Sequence, residues 1–221
     1  MPQPQTRGAL PFQSGGTEVW EAHELAAIAL AKTLLLHDPV TGLHLERLPH
    51  YTELLAAELA GHPRHRGVLR PEMLAVLPRA STLHDVGKLG IPESILRKAG
   101  RLTPQEYTIM KRHTTLGGST LQELLRRSPR NPFLAVGRDI ALYHHERWDG
   151  GGYPLGLRGT QIALAARIVA LADVYDALRS ERPYKPSYSH GVARRFIVAQ
   201  AGSQFDPDVV EAFLACEADF R

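Results

Sequence analysis

Apolar residues recur along this chain at three- and four-residue spacing, separated by Gly-, Pro- and Asp-rich breaks, and that period predicts helices. The segment 17–38, "TEVWEAHELAAIALAKTLLLHD", is amphipathic and starts at a Thr17 cap. A second helix is expected over 42–61, with Pro49 as its kink or point of division. Pro71 opens a third and Pro78 restarts it, which leaves His84 near the end of a short helix. Thr103-Pro104-Gln105-Glu106 combines a capping box with proline at the first helical position, a start signal for a helix reaching residue 127. Further helices are expected over 132–146 and 165–180. Two more close the chain, the last capped by Asp206 with Pro207 behind it. No run alternates like a strand for more than a few residues, and no internal repeat occurs. The expected architecture is all-α, a single-domain helical bundle behind an irregular leader.

Composition changes that picture little. With 221 residues, 43% apolar and 22% charged, the chain can bury a full core without staples. The single Cys216 excludes an internal disulfide and suits a reducing compartment. No apolar run reaches membrane-spanning length, and residues 1–16 read as a flexible leader, so a cytoplasmic location is expected, with no membrane partner. The net charge is +3 and the basic residues are scattered. The local cluster "HPRHRGVLR" at 62–70 reads as a solvated loop, because no basic stripe accompanies it; no nucleic-acid polymer is expected as partner.

Chemistry enters with "HDVGK" at 84–88. Two ionisable groups there follow an apolar-leaning run, and burying them unpaired would cost several kcal/mol, roughly. The helix at 165–180 raises the same problem. Val169, Ala170, Val174 and Ala177 surround Asp173, so this helix is apolar nearly all round and Asp173 is expected to be a core carboxylate. His44, His113 and the adjacent His144 and His145 add imidazoles, the last two just before a glycine-rich loop. His23, His37, His50, His62, His65 and His190 have no such context and read as ordinary surface or hydrogen-bonded histidines. Imidazole and carboxylate together suit divalent Fe, Mn, Zn or Ni. One bridging carboxylate can hold two such ions ~3.5–4 Å apart. On that reading the Asp85 charge is compensated by metal, His84 is a ligand, and Lys88 faces the anion the metals bind.

Six blocks carry a family resemblance: "TGLHLERL" (41–48), "LHDVGKLGIPESIL" (83–96), "KAGRLTPQEYTIMKRHTTLGG" (98–118), "HHERWDGGGYPLGLRG" (144–159), "ARIVALADVYDALRSERPYK" (166–185) and "AGSQFDPDVVEAF" (201–213). In that order, with the Gly152-Tyr153-Pro154 signature, the chain resembles the HD-GYP domains, the branch of the HD phosphohydrolase superfamily that degrades cyclic di-GMP. The resemblance implies an HD-type bundle with a metal site in its centre. It also implies a catalytic domain over 38–221 behind the leader (1–16) and the N-terminal helix (17–38).

The resemblance also distributes roles. His44, His84, Asp85 and Asp173 match one metal site, and Asp85 bridges to a second metal held by His113, His144 and His145. Lys88 matches the lysine on the scissile phosphate. Arg182 and Lys185 in "ERPYK" match positions that grip the dinucleotide backbone. Gly150, Gly151 and Gly152 allow positive φ in a loop whose shape Tyr153 and Pro154 fix. That loop is a lip of the substrate site, a surface for diguanylate cyclase (GGDEF) domains, or a plain connector. Two divalent ions are expected, Fe or Mn first, with Zn, Ni or Co as alternatives. Some relatives add a third metal through a glutamate four residues before the first histidine; here that position is Val40, which cannot ligate, so a third ion is not expected. The implied reaction is metal-dependent hydrolysis of cyclic di-GMP to linear pGpG or GMP. A sensor or docking module without turnover, and a phosphohydrolase of another cyclic dinucleotide, remain the alternatives. Oligomeric state and input signal are not readable from the sequence.

Overall fold

The structure, a computed structural model, describes residues 24–29, 31, 44–181 and 187–220. The Thr17 cap, the leader, Val40, Arg182 and Lys185 lie outside the described residues, as does much of the 17–38 segment, of which 24–29 are helical.

Helix α1 spans His44–Gly61. It runs unbroken through Pro49, which sits in its second turn and removes one backbone N–H donor. Helix α2 (Pro71–Ala80) likewise continues past Pro78 rather than restarting there. It tightens into the 3-10 turn Ser81–Leu83, and His84 follows at that turn's end. A second 3-10 stretch, Val86–Gly90, leads to the short α3 (Glu93–Leu96). Helix α4 (Pro104–Arg127) opens on the expected capping box: Thr103 Oγ1 accepts from Glu106 N at 3.2 Å, and Glu106 Oε2 accepts from Thr103 N at 2.7 Å. Helices α5 (Pro132–Tyr143), α6 (Leu164–Arg179), α7 (His190–Ala199) and α8 (Pro207–Cys216) follow. Asp206 caps α8 by accepting from Asp208 N at 2.9 Å. Among the described residues there is no strand, only an isolated bridge between Ala201 and Phe205. None of these helices is long and apolar enough to cross a membrane.

The all-α bundle is organised around α6. Ile168, Val169, Leu171 and Ala172 are fully buried, as its pattern predicts. It packs on α1 and α5, while α1 also packs on α2 and α8. Tyr175 of α6 anchors the far side. Its hydroxyl donates to Phe220 O at 2.8 Å, and its ring meets Phe220 edge-on at 5.0 Å. The α4–α5 pair closes the other flank, with the Val86–Gly90 turn seated on α4. Gly87 makes that seat possible. A Cβ there would lie 1.9 Å from His113 O and 2.4 Å from Gly117 N, so any larger residue would push the turn off the helix. The start of α1, the turns around residue 85, the middle of α4, the end of α5 and the middle of α6 therefore converge on one point.

Candidate metal centre

Asp85 stands at that point. It links the two 3-10 turns with φ −102° and ψ 8°, a bridge-region conformation common among functional residues. Its two oxygens face different partners. Oδ2 lies 3.2 Å from His84 Nε2 and accepts from Lys88 Nζ at 2.6 Å. Oδ1 lies 3.4 Å from His113 Nε2 and 3.9 Å from His144 Nε2.

Two ligand sets flank this carboxylate. In each, one donor atom per residue lies within 4.8 Å of the others: His44, His84 and Asp173 form one set, and His113, His144 and His145 the other. The donors are aimed by local structure. His84 Nδ1 donates to Ser81 O at 2.9 Å, His113 Nδ1 to Met110 O at 2.7 Å, and His144 Nδ1 to Ile140 O at 2.9 Å. A carbonyl can only accept, so each Nδ1 carries a proton and, in the neutral ring, each Nε2 presents a lone pair. These lone pairs converge. His113 and His144 Nε2 are 3.5 Å apart, and His44 and His84 Nε2 are 3.4 Å apart.

The charges of the two sets differ. Burial pushes the His144 imidazole down to about 3, and the neighbouring His84 adds to that. Burial likewise lowers His113, and it holds His145 well below the usual range with His144 beside it. Burial opposes charge on His84 too, but Asp85 and Asp173 outweigh it and raise its pKa. For Asp85, burial favours the neutral acid, yet Lys88 and His84 outweigh burial and hold the carboxyl well below the usual carboxylate range. A deprotonated aspartate beside the neutral, inward-facing imidazoles of the His113 set, with His84 and Asp173 opposite, is a donor set that fits divalent transition metals once the His84 proton is displaced.

The structure places Asp173 differently from the expected core carboxylate. Its side chain is 22% exposed, because it faces the hollow of the site, 3.5 Å from His44 Nε2. The carboxylate truly buried on α6 is Asp176, at 1%, one turn further along the same face. It accepts from His44 Nδ1 at 2.8 Å, from Arg47 Nε at 2.5 Å and Nη2 at 3.0 Å, and from Ser180 Oγ at 3.2 Å. Asp176 and Arg47 were missed in the sequence. The i, i+3 spacing of Asp173 and Asp176, and of His44 and Arg47, was the available signal. Lys88 also differs from its expected place: its ammonium lies on Asp85, the nearest opposite charge, three residues away.

The glycine loop after α5 covers the His113 set. The Tyr153 ring lies over His145, centroids 4.8 Å apart, and Tyr153 N donates to His145 O at 3.2 Å. Tyr107 and Lys111 of α4 flank Tyr153. The Tyr153-Pro154 peptide is cis. Buried Glu146 ties the loop down, accepting from Leu155 N at 2.7 Å and Leu157 N at 3.1 Å. Of the three successive glycines only Gly150 takes positive φ, 81°. Gly152 is required for close approach instead, since a Cβ would lie 2.4 Å from Arg147 N.

A helical bundle with two histidine-rich donor sets that could hold metal ions around one aspartate is an arrangement of the HD kind. A sequence model of the HD domain family matches residues 36–209, and the chain belongs to that family. The HD-GYP resemblance stands with it: the chain is 46% identical over 203 residues to a "Cyclic di-GMP phosphodiesterase" of Vibrio cholerae, covering 92% of this chain and 41% of that protein. It is 44% identical to the "Cyclic di-GMP phosphodiesterase response regulator RpfG" of Xanthomonas campestris, covering 92% and 50%. The chain thus spans half or less of the length of these relatives. Among solved structures, the fold is similar to a cyclic GMP-AMP specific phosphodiesterase of V. cholerae, with TM-score 0.60 at 19% identity over 89% of this chain and 49% of that one. It is also similar to Bd1817 of Bdellovibrio bacteriovorus, an HD-GYP-type protein, with TM-score 0.55 at 17% identity over 91% and 64%.

Proposed function

We propose that this chain is a metal-dependent phosphodiesterase that hydrolyses cyclic di-GMP. The observation that carries the metal reading is the facing of His113 and His144 Nε2 at 3.5 Å. Both rings resist protonation and both Nδ1 atoms are engaged, so two lone pairs oppose each other unless a cation lies between them. The substrate comes from the relatives at 44–46% identity whose names specify cyclic di-GMP.

His44, His84 and Asp173 would hold one ion, and His113, His144 and His145 a second, with Asp85 lying between the two sets. The ions, Fe or Mn before Zn, Ni or Co, would supply Lewis acidity and lower the pKa of a bound water toward neutrality. The residues do the rest. Asp85 stays ionised and fixes the spacing of the two sets. Lys88, which lies on Asp85, would supply its ammonium to the non-bridging phosphate oxygens. Arg182 and Lys185 are assigned to the ligand's phosphates on the family resemblance, and Tyr153, over His145, to the lip of the site. A water activated in this way would attack phosphorus and displace the 3′ oxygen, which takes up the proton the water gives, so the ring would open to linear pGpG with a 5′-phosphate; a second cut of the same kind would give GMP. Val40 in place of a glutamate favours two ions over three.

A second reading has specific support: the chain is 40% identical over 185 residues to "3'3'-cGAMP-specific phosphodiesterase 2" of V. cholerae. Anaerobic incubation with Fe(II) or Mn(II), using cyclic di-GMP and 3'3'-cGAMP in parallel and resolving products by chromatography, separates the two. Metal-dependent loss of cyclic di-GMP, absent in Asp85→Ala, is the expected result. Faster loss of cGAMP would move the substrate. Binding without turnover of either would make the domain a sensor or docking module.

A further inference from the structure

We propose that His62, His65 and Asp208 form a separate binding site for one zinc(II) ion at the far end of α1. The three residues each bring a ligand atom within 4.8 Å of the others. His62 and His65 follow the C-terminus of α1, whereas His44 opens that helix; at 1.5 Å per residue the two ends are about 25 Å apart. The cluster is therefore independent of the catalytic donors.

Two imidazoles and one carboxylate, with positions left open to solvent, match the three-ligand pattern that borderline cations of the zinc type accept. The site is built across the fold. His65 and Asp208 are 143 residues apart in sequence, yet His65 Nε2 and Asp208 Oδ2 are 3.0 Å apart. The His65 side chain is only 9% exposed. Asp208 lies in the first turn of α8, but it is not needed as a cap, because Asp206 fills that role. Its carboxylate is therefore directed outward to this cluster. His62 Nδ1 accepts only a long 3.3 Å bond from Arg64 N, a weak contact that a cation at the same nitrogen can replace.

One competitor is present. Arg64 Nη1 holds Asp208 at 3.0 and 3.1 Å. The Arg64 side chain is 71% exposed, so releasing it to water costs little. Zinc takes over the Asp208 contacts now made by Arg64 and His65. The ion ties the turn after α1 to the start of α8.

The test uses the full chain, stripped with a chelator and dialysed against micromolar free zinc, with bound metal measured by elemental analysis. His62→Asn is the first variant, since that residue is only partly buried, and Asp208→Asn the second. Each should retain one zinc equivalent fewer than wild type, while the melting temperature of the metal-free protein stays within a degree or two of wild type. Equal zinc content in wild type and both variants would overturn the site. A zinc loss that comes with a collapsed metal-free melting transition in both variants would also overturn it, because the loss would then report unfolding.

Discussion

The two donor sets on either side of Asp85 solve different electrostatic problems. In the half made by His44, His84 and Asp173, carboxylates are at hand: Asp173 faces His44 Nε2, and Asp176 grips His44 Nδ1. There a proton can stand in for a metal, and the raised pKa of His84 reflects that. In the half made by His113, His144 and His145 every ligand is an imidazole, anchored where the partner is visible by a backbone carbonyl. Charge on any one is opposed by burial and by its neighbours. A proton cannot relieve those facing lone pairs; a divalent cation can. The carboxylate half is thus tolerable without a cation, whereas on the proposed function the imidazole half needs one.

The largest expected effect comes from removing what the halves share. Asp85→Ala should lower turnover on the order of a thousandfold, the loss of several kcal/mol of charge stabilisation. Bound metal measured alongside should fall in both halves; if only one equivalent is lost, Asp85 does not bridge. Gly87→Ala strikes the seat that brings Asp85 to the imidazole half. The clash is with backbone rather than a flexible side chain, so a destabilisation of about 3 kcal/mol is expected in urea unfolding. A midpoint unchanged from wild type would mean that the turn can shift without cost.

Asp176→Ala should act on one half alone. Losing the group that orients His44 should weaken one metal by about 10- to 100-fold, leaving the other's affinity intact in a competition titration. Equal weakening of both would erase the distinction drawn here. The smallest effect is on pH dependence without metal. Folded His144 titrates at about 3 and the unfolded residue at about 6.5, so the unfolded chain takes up the proton first. The metal-free protein should therefore lose stability as pH falls below about 6.5, with His113 and His145 contributing in the same sense. His84 works oppositely, stabilising at low pH and losing that contribution as pH rises through its raised pKa. Three groups against one make acid destabilising; a flat melting temperature between pH 7 and pH 5 would contradict this, and His144→Ala should flatten the slope.

Much of this centre was legible in the sequence because its ligands sit in short local patterns. His84-Asp85 and His144-His145 are adjacent pairs, and the capping box that starts α4 sets the helix carrying His113. The all-α fold was legible too, since helical periodicity, caps and prolines are properties of neighbouring residues. Even so, Pro49 does not divide α1 and Pro78 does not restart α2, because local rules cannot weigh the packing that carries both helices through. Asp173 and Asp176 share one face of α6, and nothing local says which faces the hollow and which is sealed against His44 and Arg47. Only packing against α1 decided that. The same holds for His62 and His65, unremarkable in a basic loop until the fold sets Asp208 beside them from 143 residues away. Residue chemistry and spacing along the chain determined the helices and which side chains can ligate. Tertiary structure alone decided which lone pairs meet, because those distances are set by elements packing across 31 residues of chain for His113 and His144 and 143 for His65 and Asp208.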